Sequence, residues 1–349
     1  MELPVLEDTL AGHEHTPVPL PKFLQVEPVG QCNLRCRMCP IAFRTDGPPN
    51  GPPAFMDFGV FTRLIDQFPE LEQLQLQGLG EPTMHPRFFD MIKYAVQRGI
   101  KVSTNTNLTL LNDARAEHCV TSGLAELHAS IDGATVETFE RIRVRAKFNR
   151  ILTNLRRLNS ARKRLNSPTP FVRMVVVAMR WNLQELPDLV RLAQREGINT
   201  VFVQHLCHDF GEPSLPGQYR PMRDYVDQHT LLAEEPARVE HFFAEARAVA
   251  EELTVDLRLP RIQPQEHPPG TPGPERCDWP WRGAYVSYDG LAMPCCMVAT
   301  PDRIHFGNMA KAGADAVWNN SAYHEFRDRL SSDHPPEVCG SCSVYTRTF

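Results

Sequence analysis

At 349 residues, with 37 Lys and Arg against 42 Asp and Glu for a net charge of −5, the chain has room for one large α/β domain plus a smaller unit and carries no basic field for nucleic acid. No apolar run approaches the ~18 residues of a membrane span, and the acidic start MELPVLEDTLAGHEH lacks the apolar core of a signal peptide. Ten cysteines, clustered rather than dispersed, point to metal binding in a reducing compartment rather than to disulfides, and so to a cytoplasmic protein.

Residues 1–20 read as an irregular lead-in, and Phe23 to Val29 is predicted as the first strand. In the segment that follows, VGQCNLRCRMCPI, residues Cys32, Cys36 and Cys39 stand in C-x3-C-x2-C spacing. Thiolates packed so closely converge only on a soft, multiply charged centre, and Cys sets of this kind hold iron–sulfur clusters. A [4Fe-4S] cluster held by three Cys keeps one iron open; structural zinc is the competing reading. Residues 44–54 are loop, and Asp57 to Phe68 has helical spacing. Leu71 to Gln77 (LEQLQLQ) alternates like a half-buried strand and ends in Gly78-Leu79-Gly80-Glu81-Pro82, a turn whose glycines let backbone groups approach a ligand.

Pro86 to Arg98 reads as a helix stopped by Gly99, and Lys101 to Asn105 as the next strand. Ala114 to Thr121 is a helix whose Cys119 is expected to be buried packing. The strand Leu124 to Ile131 and a helix around Val136 to Arg141 follow, then a basic helix, Phe148 to Arg164, with a solvated face. Phe171 to Met179 is a buried strand, Asn182 to Glu196 a helix, and Thr200 to Leu206 a strand ending at His205, with Cys207 just beyond. This alternation predicts an α/β protein, a parallel sheet of about six βα units closed part way into a TIM-like barrel, with its chemistry in loops after the strands.

Residues 211–220 are loop, Arg238 to Leu253 an amphipathic helix, Val255 to Leu259 a short strand, and 260–274 a Pro/Gly-rich connection. The remainder holds Cys277, Cys295, Cys296, Cys339 and Cys342. A hairpin over Ala284 to Pro294, turning at Asp289-Gly290, would bring Cys277 to Cys295, and Cys339 to Cys342 is a C-x2-C pair. These supply four ligands with one Cys to spare, for a zinc ribbon or a second cluster. Cys296 is open between replacing Cys295 as ligand, donating a hydrogen atom, and packing. The predicted division is a lead-in at 1–20, a barrel at 21–260 and a β-hairpin/helix iron–sulfur module at 261–349.

The Cys32-Asn33-Leu34, Cys36 and Cys39 pattern resembles the motif of radical S-adenosylmethionine (SAM) enzymes. Gly78 to Pro82 resembles their GGEP turn, with Leu79 between the glycines. Thr106 to Leu111 resembles their T-N-G-T-L-L strand end, with Leu108 in the glycine position. Ser130 to Arg143 resembles their S-x-D-G … R-I-R segment, and the last Cys set resembles their SPASM/Twitch module, which Gly290, Gly307, Asn308 and Trp318 also match. The resemblance implies a partial (β/α)6 barrel with SAM at its C-terminal mouth. It implies two [4Fe-4S] clusters, one binding SAM on Cys32, Cys36 and Cys39 and one auxiliary on Cys277, Cys295, Cys339 and Cys342. SAM contacts would come from Gly78, Gly80, Glu81, Asn107, Ser130, Arg141 and Arg143, with flavodoxin or ferredoxin as external electron donor.

The spacing in the module is most similar to that of 2-deoxy-scyllo-inosamine dehydrogenase and related sugar- and aminocyclitol-modifying members. That likeness implies a small-molecule substrate of antibiotic biosynthesis, a sugar, aminocyclitol or nucleoside, whose secondary alcohol becomes a ketone with the auxiliary cluster as electron acceptor. His205 is the candidate base, with Arg258 and Arg261 as alternatives. Cys207 or Cys296 would return a hydrogen atom in a redox-neutral epimerase. Sugar-acid decarboxylation and peptide maturation are further alternatives, and the short lead-in counts against a fused leader-peptide-binding domain. A SAM-free interaction module is the non-enzymatic reading.

Overall fold

The computed structural model describes residues 16–44, 54–206, 210–298 and 300–349. Nine strands form one sheet: β1 (Phe23–Val26), β2 (Gln73–Leu76), β3 (Lys101–Thr106), β4 (Glu126–Ser130), β5 (Phe171–Val177), β6 (Thr200–Gln204), β7 (Asp256–Arg258), β8 (Gly283–Val286) and β9 (Ala292–Met293). Their order is β7-β6-β5-β4-β3-β2-β1-β8-β9. Every neighbouring pair is parallel except β8 with β9. The predicted six-unit partial barrel is therefore present, extended by β7 at one edge and by the C-terminal hairpin at the other.

Helices α1 (Phe58–Asp66), α2 (Phe88–Val96), α3 (Asp113–Thr121), α4 (Val136–Ile142), α5 (Phe148–Arg164) and α6 (Leu186–Arg195) alternate with β2 to β6, and α7 (Arg220–His229) and α8 (Pro236–Glu252) precede β7. Local chemistry sets their ends. The Asp57 carboxylate accepts the Val60 N–H at 3.0 Å at the start of α1. Gly99 takes φ +78° just past α2, a conformation that costs glycine little. Helix α7 lies in a stretch with no predicted element, because its sequence, RPMRDYVDQH, buries only Met222 and Val226. Cys119 is buried in α3, as packing requires.

Side chains alternate across each strand. Leu24, Val26, Leu74, Leu76, Val102, Leu127, Met174, Val176, Val201 and Val203 point outward and form one core with the helices. The alternate set, including Gln25, Gln75, Asn105, His128, Arg173 and Gln204, lines the interior of the barrel.

The C-terminal region adds short helices α9 (Gly273–Arg276), α10 (Trp279–Arg282), α11 (Met309–Ala312), α12 (Ala314–Trp318), α13 (Ser321–Ser331) and α14 (Glu337–Gly340). It does not build a sheet of its own. Strand β8 pairs with β1 in register from Phe23↔Gly283 to Val26↔Val286, and the core runs through Ala284, Val286, Trp318 and Tyr323 without a break. The fully buried Trp318 donates its indole N–H to the Pro19 carbonyl at 3.0 Å, and Val18 N–H donates to Asn319 Oδ1 at 2.8 Å. The described part of the lead-in is thus fastened by the last region of the chain. Among the described residues no helix is long and apolar enough to cross a membrane.

Candidate active site

The first Cys loop leaves the end of β1 and is held from three sides. Gly30 N–H donates to the Ala54 carbonyl at 2.7 Å. Arg35 and Arg37 donate their backbone N–H groups to Val144 and Ile142, each at 3.1 Å, which lays the loop beside the end of α4. Arg44, immediately past the loop, forms a fully buried ion pair with Glu27 at 2.6 Å. Inside this frame Cys32, Cys36 and Cys39 line one cavity of about 190 Å³ together with Gly78 to Glu81, Asn107, Ser130 and Arg143. Cys32 Sγ accepts the Leu34 N–H at 3.4 Å and the Asn107 amide at 3.7 Å.

Gly78 and Gly80 are required by close approach. A Cβ on Gly80 would lie 1.9 Å from the Val29 carbonyl oxygen, and one on Gly78 would lie 2.2 Å from Glu27 Cγ. Glu81, expected among the SAM contacts, has its carboxylate turned to the protein. It accepts from Thr106 Oγ1 at 2.7 Å, from Asn107 N–H at 2.8 Å, and from both the N–H and the hydroxyl of Thr83. It fastens the Gly-Glu-Pro turn to the end of β3. Leu108 stands in the family's glycine position with φ +62°, and its buried side chain offsets the strain of a left-handed leucine.

Arg143 is buried at the cavity wall and pairs with Asp132 at 2.6 Å. Burial pushes the Cys36 thiol up to about 12, and the Arg143 guanidinium pulls it back down. Burial also raises Cys32 and Cys39. Three half-buried thiols beside a buried cation suit a site where iron replaces the protons. Arg141, in contrast, is exposed and stacks on Trp181 at 3.8 Å, outside this cavity.

In the second Cys set, the hairpin brings Cys295 near Cys277, and Cys342 also lies near Cys277. Cys277 follows α9, Cys295 follows β9, and Cys342 N–H donates to the Cys339 carbonyl at 3.1 Å to close the C-x2-C turn. The Cys277 and Cys295 thiols are each pushed up to about 12, mainly by burial; Cys277 also feels Cys342, and Cys295 feels Cys277. Backbone N–H groups of Met297 and Val298 point at Cys295, a common environment for cluster sulfur. Cys296 faces the other way and lines the barrel interior. Among the described residues no three such side chains draw together as ligands of a single metal ion. In a cubane each thiolate takes its own iron, so its ligands stand wider apart than those of a zinc site.

The interior is a second cavity, of about 560 Å³, which shares Gln77, Gly78, Leu79, Asn105, Val175 and Gln204 with the mouth and reaches Cys296 and Met297. Its wall mixes apolar side chains with polar ones that are bonded to one another. Gln25 donates to the Gln77 carbonyl at 3.1 Å, and Asn105 Oδ1 accepts from Gln75 at 3.3 Å and from His128 Nδ1 at 2.8 Å. Arg173, Arg258 and Arg282 line it against one carboxylate, Asp256. Sequence reading passed over these side chains, although their alternation with the core positions of β2, β3 and β4 was the available signal.

Three base candidates need correction. His205 has the parity of Val201 and Val203, so it points outward; its Nε2–H donates to the Arg261 carbonyl at 2.7 Å, and burial lowers its pKa. It lines neither cavity. Arg261 lies outside the barrel, bonded to Gln265 at 2.6 Å. Arg258 does face the interior, 4.8 Å from the Phe202 ring centroid, but a guanidinium stays protonated and serves as an anion anchor, not a base. Cys207 lies outside the described residues.

Comparison with known proteins fits this geometry. Residues 26–193 match the radical SAM superfamily, and residues 277–343 match SPASM, an iron–sulfur cluster-binding domain. The chain is 25% identical to the tungsten-containing aldehyde ferredoxin oxidoreductase cofactor-modifying protein of Pyrococcus furiosus, covering 93% of this chain and 87% of that one. It is 27% identical to the mycofactocin maturase MftC of Mycobacterium ulcerans (80% and 71%) and 24% identical to the PqqA peptide cyclase of Granulibacter bethesdensis (92% and 79%). Streptococcus suis SuiB bound to precursor peptide SuiA shares the fold at a TM-score of 0.65 and 15% identity, over 95% of this chain and 71% of that one. BtrN in complex with AdoMet and 2-DOIA shares it at 0.52 and 14%, over 95% and 98%.

Cys32, Cys36 and Cys39 are the residues that would hold the SAM-binding cluster, which with SAM would supply the chemistry of hydrogen-atom abstraction from substrate. With the first three cysteines lining one cavity and both domains matched, the chain is a radical SAM enzyme with a SPASM iron–sulfur cluster-binding domain, whose cofactors are S-adenosylmethionine and two [4Fe-4S] clusters.

Proposed function

We propose that this enzyme is a maturase that abstracts hydrogen from a carboxylate-bearing peptide, or from a peptide-derived cofactor precursor, held in the barrel interior. The observation that carries this reading is the wall of that interior. Gln25, Gln75, Gln77, Asn105 and Gln204 offer paired amide donors and acceptors suited to peptide groups. Arg282 is paired with Asp278 at 3.0 Å and Arg173 lies 3.9 Å from Glu126, so Arg258 is the guanidinium that favours a carboxylate over the ammonium of an aminocyclitol. The names of the relatives, a cofactor-modifying protein, a maturase and a peptide cyclase, support the same class. In this reading Gly78, Gly80, Asn107, Ser130 and Arg143 hold SAM at the mouth, and Cys296 faces the substrate.

Oxidation of a neutral or acidic sugar is the second reading, favoured by the match of the C-terminal region to an iron–sulfur cluster-binding domain, which could accept an electron. The test is 5′-deoxyadenosine release and substrate mass change by the anaerobically reconstituted enzyme, across acidic peptides, sugar acids, neutral sugars and aminocyclitols. Acidic peptides should raise release well above the substrate-free rate and change mass. Arg258→Gln should then weaken the productive peptide by roughly tenfold, the loss of one charged hydrogen bond at ~1.5 kcal/mol. Loss of two hydrogens from an aminocyclitol, with every peptide inert, would overturn the proposal.

A further inference from the structure

We propose that the exposed face formed by Arg37, Arg141, Trp181, Tyr225 and His229 is the docking surface for an acidic one-electron carrier, of the reduced flavodoxin or ferredoxin class. The rings form one stack: Trp181 to His229 at 4.3 Å, Tyr225 to His229 at 4.4 Å, and Trp181 to Tyr225 at 6.0 Å. Arg141 lies over the Trp181 ring at 3.8 Å, and Arg37 lies 5.9 Å from the same ring. Both arginines are exposed. Among the described residues their contacts are to that ring and, from Arg37 Nε, to the Arg141 carbonyl at 3.1 Å; neither has a carboxylate partner.

The charge around them is cationic on a chain whose net charge is −5. His229 feels Arg141, Arg180 and Arg37, all positive. Arg180 is paired with Glu234 at 3.2 Å. On α7 the surface carboxylates Asp224 and Asp227 stand with Arg220 and Arg223 on the same helix, so they do not reverse the sign.

The face lies directly outside the first Cys set. Trp181, Tyr225 and Cys36 pack against the same apolar cluster, with Met38, Ile142 and Met179 within it. The Tyr225 hydroxyl donates to Met179 Sδ at 3.5 Å, and Tyr225 is close enough to Cys36 to feel its charge. Arg37 is the next residue after Cys36. None of the five residues lines the mouth or the interior, so a carrier seated here leaves substrate access free. One electron leaves the carrier's flavin hydroquinone or reduced cluster and reduces the cluster on Cys32, Cys36 and Cys39 by one; no bond or proton needs to move. Opposite charge would steer the encounter and orient the carrier over Cys36.

The test uses the intact, anaerobically reconstituted enzyme with flavodoxin. Oxidised flavodoxin is titrated by its flavin fluorescence, and reduced flavodoxin is mixed with the enzyme while bleaching of the cluster absorbance is followed. Combined Arg37→Glu and Arg141→Glu should weaken association and slow reduction about tenfold or more at low salt. The gap should close as salt shortens the Debye length to ~10 Å at 0.1 M. Photoreduced deazaflavin, small and neutral, should reduce wild type and variant alike, and charge reversal at Arg247, which is on α8 and paired with Glu240, should change neither readout. Equal flavodoxin rates for wild type and variant would overturn the proposal. So would equal slowing with deazaflavin, which would place the effect on the Cys loop. Unchanged flavodoxin reduction with lost substrate-dependent turnover would assign the face to substrate instead.

Discussion

Gly80 and Glu81 are neighbours with different duties. The glycine lets the Gly-Glu-Pro turn touch the Cys loop, where Glu81 N–H donates to the Gln31 carbonyl at 3.0 Å. The carboxylate of Glu81 ties that turn to β3. A methyl at position 80 would strike the backbone oxygens of Val29 and Gln31, which cannot rotate away. Gly80→Ala should therefore cost ~1–3 kcal/mol and displace the first Cys set. Iron per chain should fall from about eight toward about four, the content of one cubane. Wild-type iron content with an unchanged denaturant midpoint would show that the contact is tolerated. The same assay separates two adjacent thiols. Cys295→Ser should lose about four irons, while Cys296→Ser, whose thiol faces the interior, should keep about eight.

Among the elements, β8 has the largest consequence for domain organisation. Its four paired residues close the edge of β1, and Trp318 and Asn319 hold the backbone at Pro19 and Val18. A chain cut after residue 260 would expose that edge and the apolar face of Leu24 and Val26, an aggregation hazard. Residues 1–260 alone should be insoluble, or should lack a cooperative unfolding transition. A monomeric 1–260 fragment that unfolds cooperatively would instead establish the barrel as a separate domain. The auxiliary module is thus built on the barrel's own sheet.

At the scale of the whole molecule, burial holds His85, His128, His205 and His229 below the ordinary histidine value of 6.5. Below pH 6.5 the unfolded chain takes up protons that these folded side chains refuse, so stability falls as pH drops from 6.5 toward their folded values. Burial raises the Glu81 carboxyl, which acts in the opposite direction just above its usual range. The informative quantity is therefore a difference. His205→Gln keeps an N–H for the Arg261 carbonyl and removes one titration. Its urea midpoint should drop less than that of wild type between pH 7.5 and 5.5. Identical drops would remove His205 from the account.

What the sequence determined by itself is what is local in the chain. Cys32, Cys36 and Cys39 converge because so short a loop has few ways to place three thiols, and Cys339 and Cys342 share one turn. The strand–helix alternation needed only the apolar spacing of each segment. Tertiary structure decided direction and partnership. His205 read as a strand-end base, yet one residue of parity turns it outward, and the same parity aims Gln25, Asn105 and His128 into the interior. LEQLQLQ showed its polar face plainly. That face became the wall of a cavity only when the sheet curved and enclosed it, since side chains alternate along a strand but a lumen exists only between strands. Resemblance favours Cys295 as ligand and leaves the role of Cys296 open; the hairpin separates them, placing one near Cys277 and turning the other toward the interior. The pairing of β8 with β1 joins residues far apart in the chain, and no local pattern in either strand encodes its partner.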